Sequence, residues 1–80
     1  IACNTATAVG LADLRAALKA WNLPLQVIGV IEAGANATVD NGRTGGVAVF
    51  ATVATCASEA YPRALAQAAT ERDRAVRPVY

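Results

Sequence analysis

Short runs of β-branched and small apolar residues alternate along this chain with longer stretches of helical period, and that alternation narrows most what it can fold into. Gln26-Val27-Ile28-Gly29-Val30 and Val47-Ala48-Val49-Phe50-Ala51 read as buried-type strands. Ile1-Ala2 reads as the end of another strand, and Ala75 to Tyr80 as the start of a further one. From Thr5 to about Trp21 the period is helical, with Leu11, Leu14, Leu18 and Trp21 on one face and Asp13, Arg15 and Lys19 on others. Asn22-Leu23-Pro24 ends that helix, because Pro24 disfavours the helical region at Leu23. A short helix is expected from Ile31 to about Val39, and a long one from near Ser58 to about Ala69. Ser58 is suited to cap that long helix, with Glu59 in its first turn. Asp40 to Gly46 is a turn region on its Asn-Gly and Gly-Gly signals. Strands alternating with helices predict the α/β class, a parallel sheet with flanking helices.

In such sheets ligands bind beyond the carboxyl ends of the strands. That rule directs attention to Cys3-Asn4-Thr5, to Glu32, and to Thr52 through Thr55. Cys3 stands between a strand end and a helix start. The unpaired N–H groups of a helix N-terminus favour a thiolate over a thiol, and thiolate is the form that acts as base or nucleophile. The same N–H groups, with Asn4 and Thr5, can hold a carboxylate. The residues also allow a plainer reading, in which Cys3 is a small buried filler and Asn4 or Thr5 caps the helix. Thr52 and Thr55 can face a ligand together from a turn entering a helix, or can cap that helix. If the sheet is parallel, Cys3 and the two threonines converge on one edge of it.

Composition closes off other classes. Seven Lys+Arg against six Asp+Glu leave a net charge of +1, too little for a nucleic-acid footprint or an anionic membrane surface. No apolar run approaches the roughly 20 residues that cross a bilayer, and no basic-then-apolar leader is present. Two cysteines in an α/β pattern do not suggest a disulfide-stapled secreted module. The cytoplasm is therefore the expected compartment. Hydrophobic residues make up 55% of the 80, but many are alanines that bury little area each. The absence of Met and the abrupt Ile-Ala-Cys opening read as a segment of a longer chain. Gly42-Arg43-Thr44-Gly45-Gly46 lacks the Gly-Lys-Ser/Thr ending of a phosphate loop and precedes a strand, so it is a turn. Trp21 is expected in the core or at an interface.

Three segments, in order, carry a family resemblance. Ile1-Ala2-Cys3-Asn4-Thr5-Ala6-Thr7-Ala8 resembles the first cysteine motif of glutamate racemases, cytoplasmic enzymes that supply D-glutamate for peptidoglycan and so for the cell wall and cell shape. Val27 to Ala35 looks like a family segment that usually has Pro at the position of Ala33. Val47 to Tyr61 resembles a strand followed by Ala-Thr-x-x-Thr, then Ser and Tyr, here Ala51, Thr52, Thr55, Ser58 and Tyr61. The resemblance implies a two-lobed racemase fold with the amino acid between the lobes. The crossover would fall near Val30 to Glu32, making residues 1–30 the end of the first lobe and 31–80 the start of the second. It implies an isomerase in which one cysteine removes the Cα proton and another delivers a proton to the opposite face. No cofactor, neither pyridoxal phosphate nor metal, takes part. Cys3 matches the catalytic cysteine, and Asn4, Thr5, Thr52 and Thr55 match substrate contacts. The implied partner is glutamate, without nucleic acid or membrane, and a homodimer is compatible with it.

The sequence also departs from the family pattern. The Asp-Ser-Gly-Val-Gly-Gly entry motif is absent, and so is the second cysteine in its Cys-Thr-His setting, since the chain has no His. Cys56 stands where relatives usually carry a small aliphatic residue, and reads as a buried apolar-like cysteine. Alone, then, the 80 residues are expected to be inactive and marginally stable. The alternatives are a sister enzyme such as an aspartate racemase, or a truncated module that binds an amino acid without turning it over.

Overall fold

The computed structural model describes residues 1–41, 45–72 and 76–79. Helices dominate it. In order they and the strands are α1 (Asn4–Ala20), α2 (Val30–Asn41), β1 (Gly45–Ala48), α3 (Val53–Ser58), α4 (Ala60–Glu71) and β2 (Val76–Val79).

Helix α1 begins as expected and ends by a device that the Pro24 argument did not reach. Asn22 takes the left-handed conformation at φ 54°. Its N–H donates to the Lys19 carbonyl at 3.1 Å, and the Leu23 N–H reaches back to the Leu18 carbonyl at 3.0 Å. These are the paired bonds of a Schellman termination, with Asn in the position usually held by Gly. Pro24 lies beyond the stop.

The expected parallel sheet is reduced, among the described residues, to one pair of four-residue strands. β1 and β2 run parallel, Gly45 opposite Val76 and Ala48 opposite Val79, with α3 and α4 forming the crossover that a parallel pair requires. Gln26 to Gly29 are not a strand, Val30 already opens α2, and Ile1-Ala2 are irregular. The physical reason is that a strand needs a hydrogen-bonding neighbour along its length. Ile28, at 71% exposure, has no apolar cover here. One bond joins the two segments, the Ile1 nitrogen donating to the Ile28 carbonyl at 2.6 Å. Of the expected turn, Asp40 and Asn41 belong to α2, Gly45 and Gly46 to β1, and Gly42 to Thr44 lie outside the described residues. Ala75 and Tyr80, the ends of the expected last strand, also lie outside them.

The core sits between α2 and α4. Ala35 and Val39 on one helix meet Leu65, Ala68 and Ala69 on the other, with Val47, Val49 and Ala64 packed against them. Alanines let the two helices approach closely but bury little area each, so the body is thin. Arg72 clasps it at one end. As the C-cap of α4, it donates from Nε and Nη2, along one edge of its guanidinium, to the Asp40 carboxylate and also from Nη1 to Asn36 Oδ1 at 3.3 Å. Donating to the Asp40 carboxylate raises the Arg72 pKa above its ordinary value. Trp21, expected in core or interface, is 69% exposed, and Leu14 is exposed beside it. The apolar stripe of α1 thus has no full cover among the described residues.

The expected single helix from Ser58 is two helices. Glu59 adopts φ 56° and serves both as C-cap of α3 and as N-cap of α4. It therefore stands at the junction instead of in a first turn, and its side chain makes no capping bond. Ser58 does satisfy a helix-start donor, accepting from the Ala60 N–H at 3.2 Å while donating to the Thr55 carbonyl at 2.6 Å. Pro62 falls in the first turn of α4, where its missing N–H has no helical partner to lose.

Gly29 is buried against α1. A Cβ there would overlap Thr7 Cγ2 and stand 3.1 Å from Leu11 Cδ2. Thr7 cannot yield easily, because it is β-branched in a helix and its hydroxyl donates to the Cys3 carbonyl at 2.8 Å. Gly10, mid-helix on α1, would meet nothing within 4 Å. Gly29→Ala is therefore expected to destabilise the chain by about 1–3 kcal/mol, whereas Gly10→Ala stabilises it by about 0.5–1 kcal/mol. Urea denaturation of both variants checks the opposite signs.

Candidate functional site

Two helix starts meet. Cys3 is the N-cap of α1, in extended conformation, followed by Asn4 and Thr5 in the first turn. Thr52 is the N-cap of α3, also extended, and its hydroxyl accepts the Thr55 N–H at 3.2 Å. Thr5 Oγ1 lies 3.1 Å from Thr52 Oγ1 and 3.0 Å from Thr55 Oγ1. The Thr52 hydroxyl donates to Thr55 Oγ1 at 2.9 Å, closing a triangle of three hydroxyls.

The triangle can be counted. Each hydroxyl has one proton to give. Thr52 gives its proton to Thr55, and Thr55, wholly buried, then has Thr5 as the hydroxyl that can take its own. The Thr5 proton is left either to turn back to Thr52 or to point outward. When it points outward, the cluster offers one hydroxyl donor on the side where Thr52 is exposed and Thr5 half-buried. Beside it, by helix geometry, the first-turn N–H groups of α1 have no intrahelical acceptor. Capping and ligand-facing roles, open alternatives for Thr52 and Thr55 in the sequence, are divided here. Thr52 caps α3, and Thr55 links that cap to α1.

Asn4 and Cys3 flank the cluster. The Asn4 side chain is exposed, and its Oδ1 accepts the Tyr61 hydroxyl at 2.9 Å. Cys3 is an exposed free thiol whose side chain makes no capping hydrogen bond. It stands at a helix start as expected, but the strand expected before it is irregular chain. Its main chain is fixed, since the Cys3 carbonyl accepts both the N–H (2.9 Å) and the hydroxyl (2.8 Å) of Thr7. Asn4, Thr5, Thr52 and Thr55 are therefore brought together across as many as 50 residues of sequence, with Cys3 adjoining them.

Glu32 is not part of this group. It lies in the first turn of α2, 3.8 Å from Arg15, whose guanidinium also holds the Val27 carbonyl. Cys56, expected to be buried, is half-buried in α3 with its sulfur 3.8 Å from the Ala51 carbonyl. A groove of about 370 Å³ between α1, α2 and α4 contains none of Cys3, Asn4, Thr5, Thr52 or Thr55. Among the described residues no group of His, Cys, Asp and Glu could hold a metal ion, and no helix is long and apolar enough to cross a membrane. Sequence reasoning missed the role of Tyr61, although Tyr61 closes the third matching segment. It also missed Thr7, which is buried at the start of α1 and which no sequence signal marked.

Comparison with known proteins agrees with the cysteine-motif resemblance. The chain is 50% identical over 62 residues to a glutamate racemase of Limosilactobacillus fermentum, covering 78% of this chain and 21% of that protein. It is 48% identical over 71 residues to a glutamate racemase of Pediococcus pentosaceus, covering 89% and 25%. With a glutamate racemase of Lysinibacillus sphaericus the identity is 49% over 65 residues, covering 81% and 23%. The chain thus spans between a fifth and a quarter of the length of these curated relatives. No family model matches it, and no solved structure matches it.

The hydroxyl triangle makes a quantitative prediction. Thr55→Val keeps the volume and deletes the linking hydroxyl, and is expected to lose roughly 1–2 kcal/mol of stability. Thr5→Val introduced into that background loses much less than it does alone, because its buried partner is already gone. Urea denaturation of the four species checks this, and strictly additive losses would show that the hydroxyls are not bonded to one another.

Proposed function

We propose that this chain is one part of a glutamate racemase and supplies one face of its active site. The observation that carries the reading is the joining of the Cys3-Asn4-Thr5 helix start to Thr52 and Thr55. It gathers the motif-matched residues into one cluster of hydrogen-bond donors beside a thiol. The proteins it resembles are named for racemising glutamate.

Racemisation removes the Cα proton from one face and returns a proton to the other. In this reading Cys3, as thiolate, takes the Cα proton and becomes a thiol, leaving the electron pair on a carbanion-like Cα. A second cysteine, from a part of the protein outside these 80 residues, gives its proton to the opposite face and becomes a thiolate. The reverse direction exchanges the two roles, and no pyridoxal phosphate or metal enters the balance. Cα is a very weak acid, so stabilisation of the developing charge must lower most of the barrier. The donors around the cluster suit that role. The substrate carboxylate is held by the first-turn N–H groups of α1, the Asn4 amide and the Thr5 hydroxyl, with Thr52 and Thr55 holding Thr5 in place.

The architecture belongs to the same proposal. Residues 1–30 end one lobe and residues 31–80 begin the other, with glutamate between them. In this reading residues 1–2 and 26–30 join a wider parallel sheet once neighbouring strands are present. The product, D-glutamate, would serve peptidoglycan synthesis in the cytoplasm.

The test is conversion of L- to D-glutamate by the full-length protein that carries this sequence. Cys3→Ser is expected to lower the rate by about 10²- to 10⁴-fold, the range for removing a general base. A serine hydroxyl is a far weaker acid than a cysteine thiol, so it does not replace the thiolate as base. Cys56→Ser is expected to change the rate little, with folding followed by circular dichroism. Equal loss from both substitutions would contradict the assignment.

A further inference from the structure

Asn4 carries a carboxamide, which offers an acceptor oxygen at one end and two N–H donors at the other. A half-turn about its last bond exchanges them. An exposed Asn beside a ligand can therefore present either face, and only one of the two suits an anion.

Tyr61 takes the acceptor end of that amide. It is the second residue of α4, close behind the left-handed Glu59 and immediately before Pro62, so its backbone is set by the helix start. Its ring reaches α2 at Gly34, where a Cβ would stand 3.9 Å from both Cε1 and the hydroxyl oxygen. It shares a cavity with Val47, Val49 and Leu65, against the core. From that fixed position its hydroxyl donates to Asn4 Oδ1 at 2.9 Å, across 57 residues of sequence.

We infer that Tyr61 is a positioning residue that holds the Asn4 carboxamide with its N–H groups toward the substrate carboxylate. The inference rests on the racemase reading above, in which Asn4 touches that carboxylate. With Oδ1 occupied by Tyr61, only Nδ2 remains to face outward, next to the first-turn N–H groups of α1 and the Thr5 hydroxyl. The amide then adds a donor to that side. Without the Tyr61 hydroxyl, Oδ1 is free to turn outward and set a partial negative charge against the carboxylate. The bond also crosses from residues 1–30 to residues 31–80, so the segment that positions Asn4 is not the segment that carries it.

The experiment is a double-mutant cycle in the full-length protein, reading KM and kcat for L-glutamate in wild type, Tyr61→Phe, Asn4→Ala and the double variant. Phe keeps the ring against Gly34 and deletes only the hydroxyl. Tyr61→Phe is expected to raise KM about three- to tenfold, the value of one neutral hydrogen bond, with a smaller change in kcat. In the Asn4→Ala background the same substitution is expected to change KM by less than about twofold, because the group it positions is absent. A purely structural role for Tyr61 would raise KM by the same factor in both backgrounds, and that result overturns the inference. If Asn4→Ala raises KM but Tyr61→Phe does not, the inference alone fails. If Asn4→Ala leaves KM unchanged, the reading of Asn4 as a substrate contact fails and takes this inference with it. A second measurement needs no substitution. Neutron diffraction of the glutamate complex distinguishes the amide oxygen from its deuterated nitrogen, and Asn4 Oδ1 facing the ligand would overturn the inference.

Discussion

Helices α1 and α3 meet at their starts through three threonine hydroxyls, and the arrangement of every candidate group depends on that meeting. A helix start is a set of N–H donors without acceptors. Here one start is completed by Thr52 as a side-chain cap, and the other is tied to it by Thr5. Thr55 makes the tie specific, because its hydroxyl is fully buried and must bond both neighbours. Cys3 and Asn4 precede Thr5 on the same backbone, so fixing Thr5 fixes them as well.

The rest of the molecule holds the two helix starts at that spacing. The α2–α4 pair is a thin, alanine-rich body closed at one end by the Arg72–Asp40 clasp. Tyr61 reaches from this body to Asn4, and Ser58 ties the α3–α4 junction to the Thr55 carbonyl. On the other side Gly29 lets the 23–29 segment lie against Thr7, which in turn holds the Cys3 carbonyl. Each support ends on a residue within four positions of Cys3 or Thr55. Apolar side chains at the margin, Phe50 at 96% exposure above all, remain uncovered in these 80 residues. That agrees with a chain that spans a quarter or less of the length of its curated relatives.

Helices were legible in the sequence because their signals are local. The leucine spacing of α1 expresses a period that needs no distant partner. The 26–30 run resisted reading because a β-branched run states only a preference, and pairing depends on neighbours elsewhere. The break at Glu59 was hidden because a non-Gly residue at positive φ leaves little mark in sequence. The candidate site was legible in part. The family-like segments named Cys3, Asn4, Thr5, Thr52 and Thr55, but no spacing rule tells that Thr5 bonds residues some fifty positions away. Tyr61 and Thr7 escaped for the same reason, since their importance lies in contacts and not in their chemistry as isolated residues.

The central claim is that Cys3 lies where the substrate binds and Cys56 does not. Cysteine alkylation in the full-length protein tests it directly, with iodoacetamide modification of each thiol followed by mass spectrometry with and without saturating glutamate. Both thiols are unpaired, Cys3 exposed and Cys56 half-buried. The account predicts that glutamate slows modification of Cys3 and leaves that of Cys56 unchanged. Equal rates at Cys3 with and without glutamate would contradict it.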